Sequence, residues 1–284
     1  MKSSELYSLK ESIRYPGLFV KKYKRKVFYD NLWDDDLIES RGKVMLKDGT
    51  IVVNPFTKIF NYGENGITIP DNEECLWVQK INGFMAAATY VPVLGKVIVS
   101  TTGSLDSEFV DMAEKYITQD IKESMSTELK GYTALFEVCD PSDPHIINEE
   151  PGLYLIGLRE VNNTDSYYSD IHKEKLLDLY AAKWGIKRPI YDTASTFESI
   201  RVANKLARDE GVVVYAKNGT VLKMKTPYYL ATKAIARRAD IMKLSVHCID
   251  EEFYPLIDYV KAIPGFSALS EQDRIDIIRK YYGE

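Results

Sequence analysis

The segment EGVVVYAKNGTVLKMK, residues 210–225, carries two runs of β-favouring residues on either side of Asn218-Gly219. Asn-Gly between two such runs is a strong hairpin signal, because both residues accept the positive φ angles of a two-residue turn. We therefore predict a β-hairpin that turns at these two residues. In the resulting register Val214 lies opposite Lys223, and the antiparallel sheet that extends from this hairpin decides the fold.

This register predicts one charged and one apolar face, because alternate residues of a strand share a face. The charged face would hold Glu210, Lys223 and Lys225, and the apolar face Val213, Tyr215, Leu222 and Met224. Two lysines can neutralise phosphate oxygens while a carboxylate beside them holds a metal ion, so this face is a candidate polyphosphate site. A charged, solvated hairpin edge is the alternative.

The chain before the hairpin predicts further antiparallel strands. Residues 44–103 form short β-favouring runs, such as Lys96–Ser100, and three turns separate them: Asp48-Gly49, Asn82-Gly83 and Leu94-Gly95. Strand character returns at Thr133–Val138 and Leu153–Leu158. Turn residues between such runs are typical of antiparallel sheets.

Apolar residues at helical spacing predict helices between and after these strands. One predicted helix covers Leu105–Ile121, and a second includes Leu176–Trp184. A third begins at a capping box formed by Ser195 and Glu198. After Lys225 the sequence becomes mostly helical. We therefore predict an α+β fold, with an antiparallel-sheet domain over residues 1–228 and a small helical domain over residues 229–284.

The composition, 45% apolar and 28% charged residues among 284, is that of an ordinary globular protein. A net charge of −5 argues against a protein that coats nucleic acid. A local basic cluster, either a phosphate contact or a solvated edge, comprises Lys21, Lys22, Lys24, Arg25 and Lys26. Three widely spaced cysteines predict neither disulfides nor a zinc site. Without a membrane span or signal core, we expect a cytoplasmic protein with no membrane partner.

A second candidate site lies in VQKINGF, residues 78–84. Lys80 is either a nucleophile whose neutral amine attacks phosphorus or a solvated lysine beside an Asn-Gly turn. A free lysine has a pKa of about 10.4, so a nucleophilic role requires nearby positive charge or desolvation to lower it. Lys223, Lys225 or a bound metal ion could supply that charge.

These segments belong to a set of motifs that resembles a known superfamily. Four motifs resemble, in order, motifs I, III, IV and V of the covalent nucleotidyltransferases: Lys80-Ile81-Asn82-Gly83, Phe136-Glu137, Glu210-Gly211-Val212-Val213 and Lys223-Met224-Lys225. Further stretches resemble one branch, the tRNA-repair RNA ligases of T-even phages (the RNA ligase 1 family): Glu39-Ser40-Arg41-Gly42, Lys58-Ile59-Phe60-Asn61, Thr102-Gly103-Ser104 and Thr226-Pro227-Tyr228-Tyr229. The resemblance extends over residues 20–230.

The resemblance implies a role for each matching residue. Lys80 would be the nucleophile that becomes adenylated, and Glu210 would organise the catalytic metal. Lys223 and Lys225 would hold the α-phosphate and the pyrophosphate leaving group. The nucleotide would be bound by Arg41, Lys58, Phe60, Gly83, Glu137 and Tyr23, with Glu137 at the ribose and Phe60 at the adenine.

Two residues depart from the family pattern. Motif I usually has aspartate or histidine before its glycine, whereas this chain has Asn82. Fungal tRNA ligases resemble this chain in using asparagine, so the change is compatible with activity. The phage ligases also place a lysine before Gly103, where this chain has Thr102, which removes one cation near the nucleotide.

The resemblance implies an ATP-dependent RNA ligase that requires Mg²⁺ or Mn²⁺ and joins RNA 3′-hydroxyl and 5′-phosphate ends, such as those of a broken tRNA. Two alternatives remain open. A DNA ligase or GTP-using capping enzyme would typically carry an OB-fold barrel after motif V, whereas only 59 residues, helical in pattern, follow Lys225. A non-catalytic RNA-binding protein could also keep the fold.

Overall fold

The computed structural model of the chain describes residues 5–163, 165, 167–244 and 249–283. Antiparallel sheets and helices give it the α+β class that the sequence predicts. The chain forms two compact units. The first unit consists of Met1–Phe60, Gly83–Asp140 and Glu150–Ile190, and the second of Asn61–Asn82, Pro141–Glu149 and Tyr191–Glu284.

The strands in chain order are β1 (Tyr7–Glu11), β2 (Leu18–Tyr23), β3 (Arg41–Leu46), β4 (Ile51–Val53), β5 (Phe60–Asn61), β6 (Glu74–Gln79), β7 (Phe84–Val91), β8 (Lys96–Thr101), β9 (Tyr132–Cys139), β10 (Gly152–Glu160), β11 (Tyr191–Thr196), β12 (Gly211–Ala216) and β13 (Val221–Lys225). The helices are α1 (Arg25–Tyr29), α2 (Asp35–Glu39), α3 (Glu108–Glu114), α4 (Gln119–Ser126), α5 (Ile171–Trp184), α6 (Phe197–Leu206), α7 (Pro227–Ala236), α8 (Tyr254–Lys261) and α9 (Glu271–Tyr281). The predicted strands at residues 96–100, 133–138 and 153–158 are therefore confirmed as parts of β8, β9 and β10.

The first unit contains two four-stranded antiparallel sheets, in the orders β1-β2-β3-β4 and β10-β9-β7-β8. Alternate residues of β9, such as Phe136 and Val138, are fully buried against a core to which α4 and α5 contribute Met125 and Trp184. Because successive strand residues point to opposite faces, Glu137 lies on the other face of this sheet. The sheet thus positions that carboxylate for the site described below.

Two helix boundaries differ from their predictions. The segment predicted as one helix from Leu105 to Ile121 forms two helices, α3 and α4. The break arises because the Thr118 side chain accepts a hydrogen bond from the Ile121 backbone N–H and caps a new helix. The predicted cap of α6 is also wrong by one residue, since Thr196 caps this helix whereas Ser195 belongs to β11.

The sheet of the second unit has the strand order β11-β6-β12-β13-β5. Strand β6 pairs with β11 and β12, whereas β7 pairs with β8 and β9 in another sheet. The alternative in which Asn82-Gly83 forms the turn of a hairpin between paired strands is therefore wrong. These two residues instead connect strands of different sheets, which places Lys80 directly after β6.

The hairpin of β12 and β13 forms, but its predicted register is wrong by one residue. The Ala216 N–H donates to Thr220 O at 2.9 Å, so three residues form the loop, and Gly219 takes the left-handed conformation at φ 88°. Lys223 therefore lies opposite Val213. The buried face of the hairpin consists of Val212, Val214, Ala216, Leu222 and Met224. The prediction for the last two was correct, but Val213 and Tyr215 lie on the face that carries the lysines.

The residues after the hairpin are helical, as predicted. Helices α7, α8 and α9 share an apolar core that includes Ile235, Ile257 and Ile278. Residues 226–244 and 249–283 contain no strand, so these described residues hold no β-barrel. The compact units do not divide at residue 228, because these helices belong to the second unit together with its sheet. Their status as a separate domain stays a prediction. No helix among the described residues is long and apolar enough to cross a membrane.

Gly211 is required by the geometry of the hairpin, and its replacement provides the first prediction. The residue has φ 137°, and a Cβ atom built on it would lie 1.9 Å from the backbone oxygen of Met224. We expect Gly211→Ala to lower the free energy of unfolding by about 3 kcal/mol or more, through backbone strain and overpacking combined. Denaturant titration followed by circular dichroism would measure this loss.

Gly219→Ala provides the matched control in the same hairpin. Gly219 also has a positive φ, but no atom lies within 4 Å of its built Cβ atom. We therefore expect a loss of only about 1 kcal/mol from the left-handed conformation. Equal losses for the two variants would show that the contact with Met224 does not constrain Gly211.

Candidate active site

Lys80 is held at the end of β6 by the strand beside it. Its backbone N–H donates to Gly211 O at 2.8 Å, which fixes the main chain next to the start of β12. Its side-chain Nζ donates to Glu210 Oε2 at 2.7 Å. The predicted nucleophile therefore forms an ion pair with the predicted metal-organising carboxylate.

Glu210 also reaches Lys225, although the register from which we predicted this convergence is wrong. Glu210 precedes β12, and the unusual φ of Gly211 interrupts the alternation of side chains at this point. Gly211 lies opposite Lys225, and Lys225 Nζ lies 3.1 Å from Glu210 Oε1. One carboxylate thus bridges two ammonium groups, each within about 3 Å of its oxygens.

Burial and these ammonium groups act in opposite directions on Glu210. Burial by itself raises the pKa of a carboxylate, but Lys80 and Lys225 outweigh it and hold the pKa of Glu210 below its ordinary value. Glu210 is therefore negatively charged at neutral pH. Its side chain is only 3% exposed, so the charge acts in a region where water screens it weakly.

Lys223 lies two residues before Lys225 on β13, on the same face of the strand and half-buried. Its backbone oxygen accepts a hydrogen bond from the Tyr62 N–H at 2.9 Å, which fixes this part of the strand. The structure therefore places both predicted phosphate-binding lysines on one face. Their roles stay predictions.

Asn82 connects the Glu210 carboxylate to a distant segment, which the sequence did not indicate. The side chain is buried and donates from Nδ2 to Glu210 Oε2 at 2.9 Å. Its Oδ1 accepts from the Ile147 N–H at 2.9 Å, and its own backbone N–H donates to Glu149 Oε1 at 3.1 Å. Asn82 therefore orients Glu210, although the sequence marked it only as a departure from motif I.

Two further carboxylates of the second unit, Glu149 and Asp209, were missed because neither belongs to a motif. Burial raises the pKa of Glu149, and Asp209 and Glu210 raise it further. Burial also raises the pKa of Asp209, whose Oδ1 is buried without a hydrogen-bond partner among the described residues. Keeping these two carboxylates charged therefore lowers the free energy of unfolding.

The raised pKa of Glu149 predicts a pH-dependent gain in stability from Glu149→Gln. The charged form is disfavoured in the folded state, so the wild type is destabilised at any pH above the folded-state pKa. As pH falls through that pKa, protonation relieves the cost, and it vanishes below the unfolded value of about 4.3. The variant should thus have the higher melting temperature at pH 7 and lose this advantage near pH 4.

Glutamine keeps an oxygen that can accept from Asn82, so the comparison isolates the charge. Glu150→Gln is the control, since the neighbouring Glu150 side chain is 80% exposed. Its substitution should leave the melting temperature nearly unchanged at both pH values. A stabilisation by Glu149→Gln that persists unchanged at pH 4 would contradict the role of its charge.

Helix α7 adds an aromatic ring and a further cation to this group. Tyr229 Oη is buried, and burial together with the Glu210 charge raises the pKa of this hydroxyl to about 12. Lys225 Nζ lies 4.5 Å from the centre of the Tyr229 ring, and Lys233 Nζ lies 5.5 Å from it. Burial and the charges of Lys225 and Arg237 lower the pKa of Lys233. The excess of cations around Glu210 favours an anionic ligand.

A second group of predicted residues lies in the first unit. Arg41 begins β3, and its guanidinium contacts Met85 Sδ at 3.7 Å. Burial lowers the pKa of Arg41 against the opposing effects of Tyr23 and Glu137, so all three predicted nucleotide contacts lie in one electrostatic neighbourhood. Among the described residues the guanidinium makes this one hydrogen bond, so its other N–H groups can bind an anion.

Gly83 contributes backbone rather than side-chain chemistry. Its N–H donates to Glu137 Oε1 at 3.1 Å and so orients the carboxylate assigned to the ribose. A Cβ atom at this position would lie 2.2 Å from Val138 O. Only glycine allows this close approach of the two strands.

Lys58 and Phe60 lie in an aromatic cluster. Lys58 Nζ is 4.3 Å from the centre of the Phe60 ring and 5.4 Å from that of Trp33. The Trp33 ring packs edge-on against both Tyr23 and Phe60, with centroids 4.8 and 5.4 Å apart. Trp33 was not predicted, because it lies in no motif. Phe60 is itself 7% exposed, so most of its ring is core.

Lys22, on β2, lies beside Thr102, the position at which the phage ligases have a lysine. Lys22 is paired with Arg41 across β2 and β3. A Cβ atom built on Gly103 would lie 2.9 Å from Lys22 Nζ, and one built on Gly42 would lie 2.7 Å from Thr102 Cα. The amine of Lys22 therefore lies beside the Thr102-Gly103 backbone and next to Arg41.

The structure thus forms two groups, each within one unit. The first unit gathers Arg41, Glu137, Gly83 and Tyr23, with Lys58 and Phe60 in an adjoining cluster, and the second gathers Lys80, Asn82, Glu210 and Lys225 with Lys223 beside them. Among the described residues, no three Asp, Glu, His or Cys side chains form a metal cage.

Comparison with known proteins identifies the family of this fold and site. The profile of a family described as RNA ligase matches residues 38–229. RNA ligase 1 of bacteriophage TS2126 is 30% identical over 152 residues, which cover 47% of this chain and 37% of the relative, so the chain spans just over a third of that protein.

Two solved structures show the same fold. An archaeal ATP-dependent RNA ligase has a TM-score of 0.61 and 14% identity, with 96% of this chain and 76% of that chain covered. A putative ATP-dependent DNA ligase from Aquifex aeolicus has a TM-score of 0.58 and 14% identity, with 99% and 70% covered. The match of the family profile extends over most of the chain and includes all four motifs, and the chain therefore belongs to the RNA ligase family.

Proposed function

We propose that the protein is an ATP-dependent RNA ligase that works through a covalent adenylate on Lys80. The Lys80 amine attacks the α-phosphorus of ATP, a nitrogen–phosphorus bond forms, and the bond to the pyrophosphate oxygen breaks. The observation that carries this proposal is the Glu210 carboxylate, 2.7 Å from Lys80 Nζ and 3.1 Å from Lys225 Nζ, in a member of this family. It orients the nucleophile, while the lysines offset phosphate charge.

The later steps transfer the AMP to RNA and seal the strand. An RNA 5′-phosphate oxygen attacks the lysyl-AMP phosphorus, which returns the amine and forms an RNA-adenylate. An RNA 3′-hydroxyl then attacks the 5′-phosphorus and releases AMP. Each step is a displacement at phosphorus, for which positioning and charge neutralisation are the main requirements. A broken tRNA is one substrate with such ends.

We assign the binding of the nucleotide to residues of the first unit. Arg41 and Lys58 would contact its phosphates, Glu137 its ribose, and Phe60 with Tyr23 its base, as the family resemblance implies. The available guanidinium of Arg41 and the orientation of Glu137 by the Gly83 N–H support these roles.

Glu210 fits a divalent cation of the kind that binds ATP. Mg²⁺ is usually held by one or two carboxylates together with substrate phosphates and water, rather than by a full protein cage. Glu210 supplies one such carboxylate, and no three Asp, Glu, His or Cys side chains in the described part of the chain form a full cage. When bound, Mg²⁺ or Mn²⁺ would neutralise charge on the phosphates, and Lys80 and Lys225 would share Glu210 with it.

Incubation with ATP labelled at the α-phosphate, followed by denaturing electrophoresis, tests the proposal. We expect a label that stays on the wild-type protein, requires Mg²⁺ or Mn²⁺, and is absent from Lys80→Ala. Labelling from GTP instead would indicate a capping enzyme, and absence of label from both nucleotides would indicate a non-catalytic RNA-binding protein. Full labelling in the presence of chelator would refute the metal requirement.

The position of Lys22 predicts that it replaces the lysine that the phage ligases carry before Gly103. We expect Lys22→Ala to raise the KM for ATP in adenylation by roughly tenfold, the cost of one charge-assisted hydrogen bond. Thr102→Lys should restore most of the loss in the Lys22→Ala background and change the wild type little. Failure of this second change to rescue would show that the two positions do not serve the same phosphate.

We also propose that the protein acts in the cytoplasm, a reducing compartment in which thiols such as those of the buried Cys75 and Cys139 persist.

A further inference from the structure

Part of the basic cluster seen in the sequence has a structural role, and the rest lies on an exposed surface. Lys21 is buried, forms an ion pair with Asp36, and lies 4.1 Å from the centre of the Tyr7 ring. The residues at 24–26 and 28–29 are exposed instead. We call these five residues the basic–aromatic surface: Lys24, Arg25, Lys26, Phe28 and Tyr29.

The two aromatic side chains of this surface are at least half exposed. Val27 anchors α1, since it is completely buried against Leu6 and Leu37. Phe28 is 50% exposed and Tyr29 is 76% exposed, and their ring centres lie 5.6 Å apart at 77°. Single exposed apolar residues are common, but two adjacent exposed rings within a basic segment indicate a binding surface.

The charge of this surface is opposite to that of the whole protein. Within residues 24–30 the three cations are accompanied by one acid, Asp30, whose nearest oxygen lies 3.9 Å from Lys26 Nζ. Three positive charges and one negative charge give the segment a net charge of +2, in a chain whose net charge is −5. A local positive potential of this kind favours a polyanion.

The surface adjoins residues assigned to the nucleotide. Lys58 Nζ lies 6.0 Å from the centre of the Phe28 ring and 4.3 Å from that of Phe60, so one ammonium group lies between the exposed ring and the aromatic cluster. All of these residues belong to the first unit. A strand bound on the surface would therefore lie close to the proposed adenine pocket.

We propose that the basic–aromatic surface binds the single-stranded end of the RNA substrate. Phe28 and Tyr29 would stack with bases, while Arg25 and Lys26 would pair with phosphates. Rings and cations together are the combination by which proteins hold single strands without sequence preference, because every base has a π-face. This inference rests on the proposed function, for which it names the site that holds the RNA.

Fluorescence anisotropy with a labelled 12-nucleotide single-stranded RNA, without ATP, tests the inference over a series of salt concentrations. Phe28→Ala with Tyr29→Ala should raise the Kd about tenfold, the cost of losing one to two stacked bases. Arg25→Ala with Lys26→Ala should lower the slope of log Kd against log salt by about 1.4, or 0.7 for each phosphate contact.

Matched controls are available on the same unit. Lys115 and Lys122 are exposed lysines of the first unit, and Leu179 is a 70% exposed apolar residue on α5. Lys115→Ala with Lys122→Ala, and Leu179→Ala alone, should leave both Kd and salt slope unchanged. The surface residues lie on a solvated helix face, so thermal denaturation of all variants should match the wild type.

Adenylation of Lys80 by ATP in the absence of RNA separates this inference from the proposed function. The surface variants should adenylate at the wild-type rate, whereas absence of adenylation in the wild type would refute the proposed function alone. Unchanged Kd and salt slope in the surface variants would overturn the inference. A surface variant that binds RNA normally but adenylates poorly would also overturn it, since the surface would then serve ATP.

Discussion

Lys80→Ala is expected to reduce sealing of 5′-phosphorylated RNA with ATP by at least about a thousandfold, yet to keep the joining of RNA supplied with a 5′-adenylate. In that last step the nucleophile is the RNA 3′-hydroxyl, and Lys80 transfers nothing. Glu210 would remain paired with Lys225 at 3.1 Å, so the carboxylate keeps its charge and position. Joining of adenylated RNA should therefore stay within about tenfold of the wild type.

Lys217→Ala is the matched control for this variant. Lys217 Nζ lies 2.6 Å from Oε2 of Glu74, which begins the strand that Lys80 follows, but the Lys217 side chain is 71% exposed. Loss of this solvated ion pair should alter neither assay. Normal sealing of 5′-phosphorylated RNA by Lys80→Ala would disprove the covalent mechanism, and Lys80 would then be an ordinary lysine beside Glu210.

Glu210→Ala should instead impair both assays, each by at least about a hundredfold. The substitution removes the carboxylate that Lys80, Lys225 and Asn82 all contact, so it leaves two ammonium groups and an amide without their shared partner. Phosphate positioning is needed in every step, and each step should suffer. Quench-flow measurement of adenylation and gel assays of adenylated-RNA joining would report the two losses.

Glu210→Gln and Glu74→Ala complete this test. Glutamine keeps the size and one oxygen but not the charge, so a loss similar to that of alanine would assign the effect to charge. Glu74 forms an exposed ion pair with Lys217, of the same residue types as the buried pair of Lys80 and Glu210, and its loss should be silent in both assays. A Glu210→Ala enzyme that still joins adenylated RNA at the normal rate would limit Glu210 to the adenylation step.

Secondary structure followed from the sequence where a regular pattern specified it. The β-favouring residues of Thr133–Val138 predicted β9, and the amphipathic pattern of the tail predicted its helices. The hairpin register did not follow, because Asn218-Gly219 is compatible with both two-residue and three-residue turns. Which one forms depends on how the strands pack, since a shift of one residue exchanges the faces of β12.

The site was predictable to the extent that motif order specified it. Lys80, Glu210 and Lys225 converge, but the reasoning from strand alternation failed, because it could not anticipate the φ of 137° at Gly211. The contacts of Asn82 link residues 65 and 128 positions away in sequence. No local pattern encodes such distant partners, so its role required the structure.

The two-sided hydrogen bonding of Asn82 has a consequence for engineering by family consensus. Consensus design replaces a residue by one that relatives favour, which here would be aspartate or histidine. An aspartate could still accept from the Ile147 N–H, but it has no N–H group for Glu210. Two carboxylates would then face each other at the position of a 2.9 Å hydrogen bond. The effect of replacing Asn82 therefore depends on its distant partners, so Asn82 and these partners would have to be substituted together.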